Sequence, residues 1–519
     1  MSVSVFVVCV VPVLVRLPSA VPMDDMAEYV NDPVRLAFGD LPYADFWLLF
    51  PPGEVALPWL VYRTLSRDVT VLLALGALVS ALVAVVAFHL GRLLSRSTLV
   101  GVVTALLVFW TGVPGYYVGP TYLHVYLLWC LVAATLIVVD GRAPAPRRLE
   151  LAGACLGVAM LFRVYEVGAA ALAMGVAVLA TRGVRPAGRL AAGGALVALA
   201  GALAMAPVLR PFVADAVLGS VAHATAPGLT FASGLLTKWA VLERHAARLV
   251  TAPALADFAR LLWDGVIVTG VAAAYVFPAA LVLLVALAWR RLRADGTAGL
   301  VAMFVLWAAF ALPKGVVGSS ALSHWAHVTT PAFFALAAVL GAGAAGPRAG
   351  WHGAAVVTAA LLLLPVPGSV VQAFREYAGA RVTVAAPFGA FRFRSEADAA
   401  VVSGLVGVVE RETRPGDYIF VAADTAPALY ALTGRRNPTR YGALFDLLMR
   451  PGGQADAICE DLARRPPRLI VQSLGARDAG TAVTATGPLQ RCLAERYDPG
   501  ERYGDFRVHR PRDASAARR

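Results

Sequence analysis

The chain has 519 residues, of which 59% are hydrophobic and only 15% are charged, and its mean hydropathy is +0.69. Soluble domains carry about 25% charged residues, so this composition argues against a water-soluble enzyme, a disordered chain and a coiled coil. It predicts a membrane protein. Lys and Arg exceed Asp and Glu by 45 − 33 = 12, which in a soluble chain would suggest a nucleic-acid partner and in a membrane protein suggests cytoplasmic loops.

Apolar segments that could cross a bilayer run through most of the chain. A span needs about 17 to 25 predominantly apolar residues. The clear candidates are 69–91, 122–139, 190–209, 266–289 and 354–371. Shorter or weaker candidates are 3–15, 98–111, 151–162, 164–180, 299–312 and 328–343. About eleven spans are therefore expected.

Basic clusters in the short connections predict the orientation, because short cytoplasmic loops retain Arg and Lys. They all fall on one side if the spans alternate from an N-terminus inside the cell. The long connections 16–68, 210–265 and 313–327, and everything after Gln372, then lie outside. The positive charge is thus explained by topology, and no nucleic-acid partner is expected. The clusters contain Arg92, Arg96, Arg142, Arg147, Arg148, Arg182, Arg185, Arg189, Arg290, Arg291, Arg293 and Arg348.

The first apolar segment could also be a signal peptide, with the Leu-Pro-Ser-Ala stretch 17–20 as a cleavage region. We interpret it as a retained span. No basic region precedes it, and the residues that follow it carry the most functional-looking pattern in the chain.

A small α/β domain is predicted after the last span, where Arg, Asp and Glu become frequent. Segments 417–423 and 468–472 have the pattern of buried strands, and 457–465 that of a helix. We therefore divide the chain into a membrane domain, 1–371, and an extracytoplasmic domain, 372–519. Cys459 and Cys492 both lie in the second domain, where an oxidising compartment would allow a disulfide. No pair of cysteines has the spacing of a zinc site.

The segment 151–180 has basic residues at both ends and Arg163 and Glu166 at its middle. Two short helices that meet near membrane depth would account for both facts. A charged pair in an apolar context is costly unless it is paired or faces water, so it is a candidate site. The alternative is a structural ion pair between Arg163 and Glu166, three positions apart.

The first outer loop begins with an acidic pair, Asp24 and Asp25, that follows the first span directly. A carboxylate held half-buried at the membrane interface can have its pKa tuned for proton abstraction. Glu28 would share a helical face with Asp24 if the segment is helical. The alternative is an acidic interfacial loop without chemistry.

The order of motifs in this loop resembles the first outer loop of the GT-C polyprenyl-phosphate-dependent glycosyltransferases, which include the protein O-mannosyltransferases and the aminoarabinose transferases that modify lipid A. An acidic pair is followed by Gly39-Asp-Leu-Pro-Tyr-Ala-Asp-Phe46 and then by Pro51-Pro-Gly53. Further similar segments are 157–163, which ends in Arg163, Leu322-Ser-His-Trp-Ala-His327, and the stretch 429–441 in the C-terminal domain. Together they cover most of the chain.

The resemblance implies a mainly α, polytopic membrane protein of the GT-C fold with a small C-terminal α/β domain. The partners are a polyprenyl-phosphate sugar donor, a lipid, glycan or protein acceptor, and the bilayer. A carboxylate removes a proton from an acceptor hydroxyl, which displaces the lipid phosphate with inversion. The family commonly has Asp-Glu where this chain has Asp24-Asp25, so both carboxylates stay open as the base. Implied substrate-binding residues are Glu28, Tyr43, Asp45, Arg163, Glu166, Lys314, His324 and His327.

Many bacterial relatives place Arg and Asp just before the late-loop His, whereas Leu322 and Ser323 precede His324 here. The phosphate contact is therefore expected from His324, His327 or Lys314. His124, at the outer end of a span, is a further candidate. No cofactor or metal ligand set is predicted, and the need for a divalent cation stays open.

Two other classes of protein fit part of the pattern. A secondary transporter or lipid flippase would also have many spans, a broken helix pair and an intramembrane Arg. It would not need the acidic, aromatic first outer loop, and the sequence has no internal repeats that would favour it. A non-catalytic scaffold would need no carboxylate where the first span ends. The sequence therefore favours a multi-pass enzyme of the cytoplasmic membrane.

Overall fold

The structure, a computed structural model, describes residues 1–16, 26–48, 50–111, 124–218, isolated helical positions between 240 and 251, 281–294, 296–317, 322–343, 382–393, 395–423, 428–442, 454–474 and 488–512. Up to residue 343 the described chain is mainly helical. We number its longer helices α1 to α11, and two further stretches, the short helix Leu209–Phe212 and residues 281–294, are also helical. The numbered helices are α1 Ser2–Arg16, α2 Met26–Ala37, α3 Gly53–Thr64, α4 Val69–Ser95, α5 Thr98–Thr111, α6 Val125–Arg142, α7 Pro146–Met160, α8 Val164–Arg182, α9 Val184–Ala204, α10 Ala298–Val317 and α11 Leu322–Gly343.

Four of these helices, α4, α6, α8 and α9, are long and apolar enough to cross a membrane. Shorter apolar stretches form most of α1, α5, α10 and α11. The clearest span is α4, with a mean hydropathy of 2.8 over its most apolar window. Its ends are set by local chemistry: the Asp68 carboxylate accepts from the Thr70 N–H at 2.7 Å, and Arg96 ends the helix at φ 59°. The protein is therefore a multi-pass membrane protein.

The predicted spans up to residue 209, and those at 299–312 and 328–343, coincide with helices to within a few residues. Of the span predicted at 266–289, the described portion from residue 281 is helical. The span predicted at 354–371 and the domain boundary at 371 lie outside the described residues.

The predicted break at 151–180 is confirmed. Helix α7 ends at Met160, α8 begins at Val164, and Arg163 between them has an extended backbone, with φ −147° and ψ 116°. Glycines allow α7 to lie close against α9, because a Cβ at Gly153 would clash with the Leu190 carbonyl and one at Gly193 with the Glu150 carbonyl. Helix α7 therefore packs against α9 with their backbones in close contact.

The connection 16–68, predicted as the first outer loop, was expected to be polar, but its described residues contain two helices. Helix α2 is amphipathic and buries Val30 and Val34 against the membrane-domain core. Helix α3 buries Glu54, Val55 and Pro58. The loop is thus a packed layer on one end of the helical bundle, and α2 also contacts a helix of the C-terminal domain.

The described residues of the C-terminal domain form two sheets. A two-stranded antiparallel sheet pairs β1 Val382–Ala386 with β2 Gly389–Phe393. A four-stranded sheet has the order β3-β4-β6-β5, in which only β3 and β4 are parallel. The strands of the second sheet are β3 Ile419–Ala422, β4 Leu469–Ser473, β5 Tyr497–Tyr503 and β6 Phe506–Pro511, and the domain's helices are α12 Glu396–Glu412, α13 Ala428–Thr433, α14 Gln454–Arg464 and α15 Pro488–Arg496.

The predicted strands at 417–423 and 468–472 and the helix at 457–465 are confirmed as β3, β4 and α14. Strand β5 was not predicted because its sequence, YDPGERY, is polar and mostly exposed. Its pairing with β6, and not a buried face, makes it a strand. The predicted disulfide is present: it joins Cys459 of α14 to Cys492 of α15, with a Cα–Cα distance of 6.1 Å.

Candidate active site

The first outer loop turns sharply around Tyr43, which is buried and has φ 64°. A positive φ is rare for a bulky residue and persists only where surrounding contacts hold it. Here the Tyr43 N–H donates to the Phe46 carbonyl at 2.8 Å, and the Tyr43 hydroxyl donates to the Phe50 carbonyl at 2.6 Å. The Tyr43 side chain thereby links the turn to the Pro-Pro-Gly segment that follows.

The Pro51-Pro-Gly53 segment docks onto the break between α7 and α8. The Gly53 N–H donates to the Leu161 carbonyl at 2.7 Å, a group that the end of α7 leaves without a helical partner. A Cβ on Gly53 would lie 2.5 Å from the same oxygen, so only glycine allows this approach. The loop and the helix break are therefore joined through backbone.

This docking brings Glu54 to Arg163. The Arg163 Nε donates to Glu54 Oε1 at 2.8 Å, and both side chains are buried, with 11% and 5% of their surface exposed. The Arg163 guanidinium also lies over the Phe50 ring, with Cζ 3.6 Å from the ring centroid. Burial raises the pKa of Glu54 to about 6, although Arg163 acts in the opposite direction.

A small cavity opens between α6, α8, α10 and α11. Tyr165, Glu166 and His327 line it together with Tyr126, whose hydroxyl is 3.1 Å from His327 Nδ1. Its remaining lining residues are Leu127, Trp307, Ala311, Thr330 and Pro331. The structure thus brings Glu166 and His327, which were predicted from separate motifs, to one site.

Buried His124 precedes α6 and lies within electrostatic reach of His327 and Arg163. Glu166 likewise lies within reach of Glu54. A guanidinium and two imidazoles beside aromatic rings in a poorly hydrated place can bind an anion strongly, because a low local dielectric weakens screening. Among the residues described, no three His, Cys, Asp or Glu side chains are grouped to hold a metal ion.

Asp24 and Asp25, the predicted catalytic pair, lie outside the described residues. The structure describes the backbone of Glu28 in α2, Lys314 in α10 and His324 in α11, but not their side chains. Their roles therefore stay predictions.

Tyr43 and Asp45, predicted to bind substrate, have contacts that shape the loop. The Asp45 carboxylate accepts from the Leu41 N–H at 2.8 Å, and Arg465 of the C-terminal domain is 4.0 Å away. The Tyr43 ring packs edge-on against Phe212 at 5.3 Å. These contacts place both residues in the framework of the loop.

Arg163 pairs with Glu54, 109 positions away in the chain. The alternative for Arg163, a structural ion pair with Glu166, stays a prediction. Glu54, which directly follows the Pro51-Pro-Gly53 motif, was not predicted as a site residue. The signal was a carboxylate at the start of a helix that is otherwise apolar except for Arg63 near its end, since such a residue needs a cationic partner when buried.

No family model matches the chain, and no curated protein matches it. Solved structures do. ArnT from Cupriavidus metallidurans, bound to undecaprenyl phosphate, is 15% identical with a TM-score of 0.56, over 98% of this chain and 97% of that one. The apo structure of ArnT has a TM-score of 0.54 and 15% identity, over 98% of this chain and 97% of that one. The arabinofuranosyltransferase AftD from Mycobacteria is 13% identical with a TM-score of 0.51, over 98% of this chain and 40% of that one. The chain has the GT-C fold.

Proposed function

We propose that the protein is an integral membrane glycosyltransferase that moves a sugar from a polyprenyl-phosphate donor to a hydroxyl acceptor. The observation that carries this proposal is the buried Arg163 at the helix break, held between Glu54 and Phe50, in a fold shared with a protein that binds undecaprenyl phosphate. A buried cation fixed in advance is what a phosphate leaving group requires.

The reaction is a single displacement. Asp24 or Asp25 takes the proton of the acceptor hydroxyl, the oxygen forms a bond to the anomeric carbon, and the bond from that carbon to the phosphate oxygen breaks with inversion. The electron pair of the broken bond leaves on the phosphate. Its growing charge is stabilised by Arg163, together with His327, Lys314 and His324.

The other predicted residues serve the substrates or the shape of the site. Glu28 lies in α2, shortly after the acidic pair, and is proposed to contact the acceptor. Glu166 lines the same cavity as His327. Tyr43 and Asp45 set the path of the loop. The acceptor is a lipid, glycan or protein of the cell envelope, and a divalent cation stays open as a cofactor.

The site is proposed to face the outside of the cytoplasmic membrane. Two observations support this orientation: the basic clusters of the sequence fall together on the opposite side, and the C-terminal domain that touches the first outer loop carries the disulfide between Cys459 and Cys492. The N-terminus is then cytoplasmic.

The test is incubation of the purified protein in lipid with a panel of polyprenyl-phosphate sugars, with release of polyprenyl phosphate as the readout. Arg163→Ala is the matched control, since it removes the proposed cation. Release that depends on Arg163 supports the proposal. Passage of the lipid across the bilayer without release would favour a flippase instead, and no release from any donor would overturn the enzyme.

A further inference from the structure

The segment 434–442 of the C-terminal domain, which follows α13, lies directly against the first outer loop. Within it, the Asn437 side-chain amide donates to the Tyr441 carbonyl at 2.7 Å, and Asn437 Oδ1 accepts from the Thr439 N–H at 2.9 Å. The side chains of Asn437 and Thr439 are buried. The segment is thus rigid by its own hydrogen bonds and can restrain what it touches.

Ion pairs and backbone hydrogen bonds join the two regions. Arg436 Nη2 donates to Asp40 Oδ1 at 2.8 Å, and Arg35 pairs with the other oxygen of Asp40 at 3.1 Å while Arg35 Nη2 donates to the Thr439 carbonyl at 2.8 Å. Asp40 and Arg35 are 6% and 3% exposed. Because these charges are buried, each depends on its partners in the other region.

Arg440 makes the contact nearest to the strained turn. Its Nη2 donates to the Tyr43 carbonyl at 2.8 Å and to Asp215 Oδ2 at 2.7 Å, and its carbonyl accepts from the Trp47 N–H at 2.6 Å. Tyr43 is the residue with positive φ. The hydrogen bond from the Arg440 guanidinium to the Tyr43 carbonyl therefore helps to keep this backbone conformation, which would otherwise relax.

The contacts continue from Tyr43 to Arg163. The Tyr43 hydroxyl donates to the Phe50 carbonyl, and the Phe50 ring lies beneath the Arg163 guanidinium. Two residues therefore separate a side chain of the C-terminal domain from the cation of the candidate site. A loss of order at Tyr43 would move Phe50 and, with it, one of the surfaces that orient Arg163.

We propose that Arg440 is a positioning residue that acts through Tyr43 and Phe50 to orient Arg163, so that the C-terminal domain completes the active site of the membrane domain. This inference rests on the proposed function. It predicts that kcat, and not the affinity for the donor, depends on Arg440. A misoriented Arg163 would stabilise the transition state less while donor binding changes little.

The experiment compares Arg440→Ala with Arg512→Ala, which removes an arginine of the same domain whose ion pair with Asp498 is exposed. We expect Arg440→Ala to lower kcat at least about tenfold with donor KM changed less than about twofold. Amide exchange of residues 39–48, measured by mass spectrometry on the full chain in detergent, should become faster in Arg440→Ala alone.

Tyr43→Phe is the second variant, since it removes one hydroxyl and leaves the Arg440 contact to the Tyr43 carbonyl. It should lower kcat as well, and the double variant should fall little further than the more affected single variant, as expected for residues that act in one path. An additive double variant, an unchanged kcat in Arg440→Ala, or unchanged exchange would each overturn the proposal. If the wild type releases no polyprenyl phosphate, the proposed function fails, and the exchange measurement still decides whether Arg440 orders the loop.

Discussion

Glu54 and Arg163, 109 positions apart in the chain, form an ion pair with Arg163 Nε 2.8 Å from Glu54 Oε1. The pair joins the first outer loop to the break between two helices, and each charge is buried enough to depend on the other. We expect Arg163→Ala to lower kcat about 10²-fold or more at saturating donor, because it removes charge stabilisation that grows in the transition state. Transfer assays in matched membranes check this, and near-normal turnover would remove Arg163 from the site.

Glu54→Gln tests how Arg163 is oriented, because Arg163 keeps its positive charge in this variant. The amide keeps the size of the side chain but loses the ionic partner, so we expect kcat to fall about tenfold while the protein stays folded. Glu495→Gln, at an exposed position of α15 in the C-terminal domain, serves as a neutral comparison. Equal rates in the two variants would contradict the positioning role of Glu54.

The pH dependence of transfer should carry the titration of Glu54. Burial raises the pKa of this carboxyl to about 6, so the charged form that pairs with Arg163 is complete above that pH and is lost as the pH falls through it. The wild-type rate should therefore decline below about pH 6. Glu54→Gln cannot titrate and should lack this component. Profiles of kcat for both proteins measure the difference, and identical profiles would assign the acid limb to another group.

Gly53→Ala should undo the docking of the loop. Its new methyl group would lie 2.5 Å from the Leu161 carbonyl oxygen, so the Pro-Pro-Gly segment must shift, at a cost of about 1–3 kcal/mol. Gly168→Ala in α8 is the matched control, because a Cβ there meets nothing within 4 Å. Thermal unfolding in detergent and transfer rates should both fall for Gly53→Ala alone. A fully active Gly53→Ala variant would show that the close approach is unnecessary.

Asp24→Asn and Asp25→Asn test the base. Each keeps size and hydrogen bonding but removes the proton acceptor, so one of them should lose about 10²-fold or more in rate. Donor binding should survive, since the phosphate is held by cations elsewhere. If both variants keep near-normal transfer, the role moves to Glu28 or the enzyme proposal fails in favour of a transporter. Asp45 is a weaker replacement, because its carboxylate already accepts from the Leu41 N–H.

The disulfide between Cys459 and Cys492 closes a loop with a sequence separation of 33. Its removal in Cys459→Ser should destabilise the C-terminal domain by about 3–4 kcal/mol on a chain-entropy estimate. Thiol labelling of the unreduced protein provides the check: Cys459 and Cys492 should resist modification until a reductant is added, and labelling of both without reductant would contradict the pairing. Cys9→Ser, in the membrane domain, is a comparison for the labelling pattern.

The membrane class, most helix positions and two strands of the C-terminal domain could be predicted from the amino-acid sequence. These features depend on local pattern: an apolar segment such as 69–91 must form a helix in lipid, because every backbone group has to be hydrogen-bonded within the segment. The break before Val164 was also readable, since Arg163 cannot sit without a partner in an apolar helix. Segments such as β5 escaped prediction because their structure depends on a neighbouring strand and not on burial.

Which distant residues contact each other could not be predicted and follows from the folded chain. The loop motif at Gly39 and the stretch at Arg440 were recognised as separate patterns, and their contact through Tyr43 spans 397 positions. Likewise Arg163 pairs with Glu54, which precedes it by 109 positions in the chain. A buried carboxylate or guanidinium needs a partner, but its chemistry does not identify that partner. Many different side chains and any backbone carbonyl or N–H group can serve. The choice follows from how the helices, the turn at Tyr43 and the Gly53 contact place the backbone.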